Sequence, residues 1–236
     1  MNLFVISIIV FILMISSQLY RQPRSKLEEV ALIRGLPVYR YRVNATTAEK
    51  INREVEKYYN KTGLDASEKE GWNAEHLSNA FYNARDDDLP TLSKELSICI
   101  NKLCKRHSLS PKLASLSADK DYPNVCDYWV NLYNVGDYQG RHCHINDGDD
   151  TPFYCFTYFS RYSHGIDGPL SFHLNLNNDE PITTPEIQQG DILIFGPTLE
   201  HSVEQQNKAG PRITVSGNIY HDLFRDVNDI HHRGRR

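Results

Sequence analysis

The sequence predicts an α+β fold in which helices in the first half support a β-rich core of sandwich or jelly-roll type in the second. Two observations predict it. Short strand-like runs, separated by Gly and Pro at near-regular spacing, fill residues 127–220. Before them, apolar residues recur at helical spacing between Ile51 and Leu103.

The chain has 236 residues, of which 40% are hydrophobic and 24% charged, an ordinary globular composition. One catalytic domain of about 200 residues with a leader fits that length. The net charge of −4 gives no electrostatic basis for a nucleic-acid partner. The five cysteines (Cys99, Cys104, Cys126, Cys143 and Cys155) include no C-x-x-C pair, which argues against a structural zinc site. Cys143 reads as a small buried apolar residue.

Residues 1–26 read as a signal peptide or signal-anchor with a short linker. The apolar run from Leu3 to Ile15 suits a signal-peptide core, and extension to Tyr20 approaches a membrane span. If the leader is not cleaved, residues 3–20 meet a membrane. Arg21, Arg24 and Lys26 favour a cytoplasmic location for the bulk of the chain. The sequons at Asn44 and Asn60 matter only in a lumen. A leader followed by an enzyme domain favours the lumen, so the expected location is the secretory route or a membrane anchor with a luminal catalytic part.

Residues 27–126 form the helical support. Leu36 to Arg42 reads as a strand, and Thr46 to Glu49 as a capping box. Ile51, Val55 and Tyr58 then line one helix face, and Gly63 ends the helix. A second, short helical pattern comes after Trp72, around Leu77 to Phe81. Asp86, Asp87 and Asp88 read as a solvated turn. Leu92, Leu96, Cys99 and Leu103 repeat as an amphipathic helix, with Lys105, Arg106 and His107 at its C-terminal end, where cations suit the dipole.

The core spans residues 127–220, followed by a basic His/Arg tail over 221–236. Trp129, Asn131 and Tyr133 alternate with Val130 and Leu132, which predicts a strand with one aromatic and polar face. Asn131 and Tyr133 are candidates to touch a charged ligand there. Phe153 to Arg161, Leu170 to Leu174, Ile192 to Phe195 and a run from Arg212 read as further strands. In the last, Arg212, Thr214 and Ser216 share a face.

His142 and His144 form an H-x-H step, which on a strand points both imidazoles the same way. His201 comes 57 residues later, far enough to arrive from another strand. Two ligands from one strand and a third from a distant one suit a mononuclear iron site with open positions. Arg212 supplies a forked cation for a carboxylate, and Thr214 a hydroxyl. A lone histidine is more often structural, and His107, His164, His173, His221, His231 and His232 are read so.

The stretches Trp129 to Tyr133, Gly136, His142 to His144, Phe153 to Tyr158, Gly190 to Phe195, His201 to Val203 and Arg212 to Asn218 together resemble the 2-oxoglutarate/Fe(II)-dependent oxygenases. They are most similar to members that carry H-x-H where prolyl hydroxylases carry H-x-D. The resemblance covers roughly residues 36–220. It implies a double-stranded β-helix (jelly roll), Fe(II) held by His142, His144 and His201, and 2-oxoglutarate as cosubstrate. The far carboxylate of 2-oxoglutarate would pair with Arg212 and with a hydroxyl from Thr214 or Ser216. Ascorbate is implied as reductant, with a hydroxylated product and succinate. The substrate, protein or small molecule, is not written in the sequence; a secretory location favours a protein side chain.

The chain departs from the family at one position. His144 occupies the place of the family's carboxylate, so either His144 is a third imidazole ligand or Asp147, Asp149 or Asp150 completes the triad. Strand spacing favours His144. The rival reading is a cupin-like metal-binding protein, or a dioxygenase that does not use 2-oxoglutarate. Arg212 separates the two, because a buried arginine facing the metal needs an anionic partner.

Overall fold

The strands of the second half are shared between two antiparallel sheets, as the spacing of its Gly and Pro residues predicts. In the computed structural model, residues 25–33, 35–62, 80–84, 87–107, 126–145, 152–173, 182–183, 186–207 and 210–219 are described. The larger sheet holds β1 (Lys26–Ile33), β2 (Leu36–Arg42), β3 (Ala80–Ala84), β4 (Cys126–Tyr133), β6 (Tyr154–Arg161), β9 (Asp191–Phe195) and β11 (Arg212–Ile219). Their order across the sheet is β1-β2-β9-β6-β11-β4-β3. The smaller sheet holds β5 (Gln139–His142), β7 (Leu170–Phe172), β8 (Ile182–Thr183) and β10 (His201–Val203), in the order β5-β10-β7-β8. Every pairing is antiparallel. The fold is a jelly roll, the double-stranded β-helix.

Period-two alternation divides the core. On β6, Phe156 and Tyr158 join the layer between the larger sheet and the helices, while Cys155 and Phe159 join the layer between the sheets. β11 does the same: Ile213 and Val215 face the helices, whereas Arg212 and Thr214 lie buried on the opposite face.

Among the described residues, the helices α1 (Ala45–Thr62) and α2 (Pro90–Arg106) cover the outer face. Ile51 and Val55 of α1, and Leu92, Leu96, Cys99 and Leu103 of α2, are buried there. The Tyr158 hydroxyl donates to Asn52 Oδ1 at 2.7 Å and so ties β6 to α1. Lys105 and Arg106 fall in the last turn of α2, as the dipole favours.

The structure differs from several expectations. α1 begins earlier than the Thr46 box implies. Asn44 Oδ1 accepts from Thr47 N at 3.0 Å, and an asparagine in that place satisfies an N–H the helix leaves unpaired. The sequon asparagine Asn44 is thus a helix cap, while Asn60 is exposed on α1. Phe81 lies in strand β3, because pairing with the edge of β4 overrides a weak local helical pattern. β1 has no counterpart among the expected strands. It carries Lys26, Glu28 and Glu29, as an edge strand often does. Cys143 is half-buried, and Cys99, Cys104 and Cys155 are buried free thiols. The leader, Trp72, Asp86 and the basic tail lie outside the described residues. Among the described residues no helix is long and apolar enough to cross a membrane.

Candidate functional site

β5 and β10 pair so that His142 and His201 are direct cross-strand neighbours. His144 lies just past the end of β5, where its backbone N–H donates to Pro197 O at 3.0 Å. One ligand atom from each of the three rings lies within 4.8 Å of the others. The ring centroids are 4.2 Å apart for His142 and His201, 5.1 Å for His144 and His201, and 5.4 Å for His142 and His144. The alternative ligands Asp147, Asp149 and Asp150 lie outside the described residues.

Each imidazole is held from behind at Nδ1. His142 meets Gly140 O at 2.8 Å, His201 meets Leu199 O at 2.9 Å, and His144 meets Asn218 Oδ1 at 2.7 Å. A carbonyl oxygen only accepts, so each Nδ1 carries the proton and each Nε2 keeps its lone pair. That is the state a metal ligand needs. Gln139 Nε2 lies 3.4 Å from His142 Nε2, a weak contact. Trp129 stacks on His144 at 6.0 Å, and Phe195 meets His201 edge-on at 4.9 Å. Arg141 and Glu200, which flank His142 and His201 in sequence, form an ion pair that clamps β5 to β10.

Burial keeps His144 and His201 neutral. It pulls His144 down from its ordinary 6.5 to about 4, with His142 adding to the effect and the Asn218 bond opposing it. His201 is pulled well below its ordinary range, first by burial and then by His142 and His144. Neutral imidazoles offer lone pairs without proton competition.

The three histidines and Arg212 line one cavity, which Trp129, Thr157, Thr214 and Ser216 also line. Arg212 is 1% exposed, and none of Nε, Nη1 and Nη2 has a hydrogen-bond partner among the described residues. Its guanidinium packs over the rings of Tyr133, Phe159 and Tyr162 at 4.6, 5.7 and 5.7 Å. Aromatic faces offset part of the cost of burying the cation but leave five N–H donors to satisfy.

Beside it lies a small hydroxyl cluster. Asn131 Nδ2 donates to Thr214 Oγ1 at 3.4 Å and to Ser216 Oγ at 3.2 Å. Thr157 Oγ1 and Ser216 Oγ share a hydrogen bond at 3.1 Å. Because Thr214 accepts from Asn131, its own O–H is available as a donor.

Six of the eight expected site residues therefore line the cavity, and two stand behind it. Asn131 supports Thr214 and Ser216, and Tyr133 lies under Arg212 with its hydroxyl donating to Gln139 Oε1 at 3.0 Å.

The sequence matches no protein-family model and no curated protein. Solved structures do match the fold. A prolyl-4-hydroxylase from Pseudomonas putida superposes with a TM-score of 0.53 at 11% identity, covering 87% of this chain and 96% of that one. A prolyl hydroxylase from Trichoplax adhaerens, in complex with a hypoxia inducible factor oxygen degradation domain peptide fragment, gives 0.53 at 15% identity, covering 89% and 88%. The fold is that of the prolyl hydroxylases.

Sequence reasoning missed Asn218 and Thr157 as site residues. Asn218 falls on the Arg212 face by strand parity, so a signal was present. Parity gives a face and not a partner, and the partner, His144, is 74 residues away. Thr157 is paired with Ser216 across β6 and β11, a register no local pattern reveals.

Proposed function

We propose that the protein is an Fe(II)- and 2-oxoglutarate-dependent dioxygenase that hydroxylates a substrate while 2-oxoglutarate is decarboxylated to succinate. His142, His144 and His201 hold the metal through Nε2. Iron(II), when bound there, supplies the O2 chemistry. Arg212 receives the far carboxylate of 2-oxoglutarate in a charge-assisted pair, and Thr214 or Ser216 adds a hydroxyl donor. Trp129 and Phe195 pack against the metal-binding rings and limit water around them.

The observation that carries this reading is the buried guanidinium of Arg212, without an acceptor among the described residues, in the same cavity as three Nε2 lone pairs. An uncompensated buried cation costs several kcal/mol, which an anionic cosubstrate offsets. The cupin-like alternative gives that arginine no partner. The likeness to prolyl hydroxylases supports the same reading at the level of fold.

The substrate class we propose is a protein side chain, in line with the peptide complex of the Trichoplax adhaerens neighbour. The proposed location, a secretory lumen with or without a membrane anchor through residues 3–20, rests on the apolar leader and the sequons. Glycosidase treatment of secreted material tests it: a mobility shift lost in Asn60→Gln is expected, and no shift counts against it.

The function is tested by succinate release from the full chain with Fe(II), 2-oxoglutarate and ascorbate. Slow release without added substrate is expected, abolished in His201→Ala. Undiminished release from that variant overturns the assignment.

A further inference from the structure

Two of the three histidines are oriented by the backbone just before them. The carbonyls behind His142 and His201 belong to Gly140 and Leu199, each two residues earlier in the chain. Any side chains at 140 and 199 would supply the same oxygen. His144 differs, because it lies past the end of β5 and its Nδ1 turns to a side chain, Asn218 Oδ1 at 2.7 Å. We propose that Asn218 is the positioning residue that makes His144 a metal ligand, by holding its proton on Nδ1. The inference rests on the metal site of the proposed function.

The orientation of the amide decides the outcome. With Oδ1 toward the ring, Nδ1 carries the proton and Nε2 is free to bind metal. With the NH2 toward the ring, Nδ1 must accept, the proton moves to Nε2, and the ligand is lost. Cys155 selects the first arrangement. It is the direct cross-strand neighbour of Asn218, and its Sγ lies 3.4 Å from Oδ1. A buried thiol remains protonated, since burial raises it well above its ordinary value. It is therefore a donor, and sulfur is only a weak acceptor for an N–H in the flipped alternative.

Both Asn218 and Cys155 are buried, which keeps bulk water from these positions. β11 then serves both halves of the site from one face: Arg212 at its start would receive the anion, and Asn218 six residues later orients His144. This explains how a histidine functions where a carboxylate would need no tautomer control at all.

The test is cobalt(II) titration of the full chain, read by its visible absorption. Wild type, Asn218→Leu and Asn218→Asp are compared. Leucine keeps the branched outline and removes the acceptor, so binding should weaken about 10- to 100-fold. Aspartate keeps the acceptor and should bind within a few-fold of wild type. Wild-type affinity in Asn218→Leu, with its cobalt spectrum unchanged, overturns the inference and leaves the metal site standing. Failure of the wild type to bind cobalt overturns the metal site itself, and this inference with it. Should the leucine variant not fold, long-range proton–nitrogen NMR on the metal-free wild type decides. The His144 ring, assigned by its loss in His144→Asn, should carry its proton on Nδ1; a proton on Nε2 overturns the proposal.

Discussion

Arg212 is the residue whose environment is hardest to explain without a ligand. Its three nitrogens are buried and lack acceptors among the described residues, while Tyr133, Phe159 and Tyr162 shield it. A site of this kind trades stability for binding. Arg212→Met should therefore leave the ligand-free chain as stable or stabilise it, by about 1–4 kcal/mol, read as an equal or higher Tm. The same variant should lose 2-oxoglutarate affinity by at least about 2–5 kcal/mol, the cost of truncating one side of a buried charged pair. Calorimetric titration of the zinc-loaded protein checks it. A variant that is destabilised yet binds normally would show the arginine to be a structural cation. Arg212→Lys should fall between, since it keeps the charge and loses the fork.

At the scale of elements, the turn after β6 is pressed against the end of β10. Gly168 N donates to Gln206 Oε1 at 3.0 Å, and a Cβ at 168 would lie 2.2 Å from the backbone oxygen of Glu204. Backbone cannot swing aside as a flexible side chain can. Gly168→Ala should cost about 1–3 kcal/mol by overpacking, and thermal unfolding should show a Tm lower by roughly 2–10 °C. An unchanged Tm would mean that the turn moves without cost. Elements with strong local signals were legible in the sequence. α2 follows from Leu92, Leu96, Cys99 and Leu103, and β11 from the alternation that begins at Arg212. β1 and β3 were not, because edge strands are defined by the neighbour they join: β1 by β2, and β3 by β4. The start of α1 is ambiguous for a related reason, since two capping residues, Asn44 and Thr46, lie two positions apart and only backbone geometry chooses between them.

For the molecule as a whole, the buried histidines set an acid limit. The folded chain holds His144 near 4 and His201 well below 6.5, whereas unfolded histidines titrate near 6.5. Below pH 6.5 the unfolded chain therefore binds more protons than the folded one, and stability falls with pH. The metal-free protein should be fully stabilised above about pH 6.5 and lose the His144 contribution as pH falls toward 4. One pKa unit is worth about 1.4 kcal/mol, so the loss amounts to a few kcal/mol. Denaturant midpoints measured across this range test it. Midpoints independent of pH would show that the rings are hydrated or already protonated. Bound zinc should hold stability to lower pH until protons displace it.

The sequence by itself determined the local terms: helix faces, strand parity, the β-rich second half, and a histidine pair, a distant histidine and an arginine, whose order resembles that of the 2-oxoglutarate/Fe(II)-dependent oxygenases. These come from periods of 3.6 and 2 and from side-chain chemistry, which depend on neighbours along the chain. Only the tertiary structure decided who meets whom. It placed His201 opposite His142, put Asn218 behind His144, laid Tyr133 under Arg212, and moved Asn131 to a supporting role behind Thr214 and Ser216. Those pairings depend on strand order and register between residues far apart in the chain, and a one-residue slip would turn each of these side chains to the opposite face.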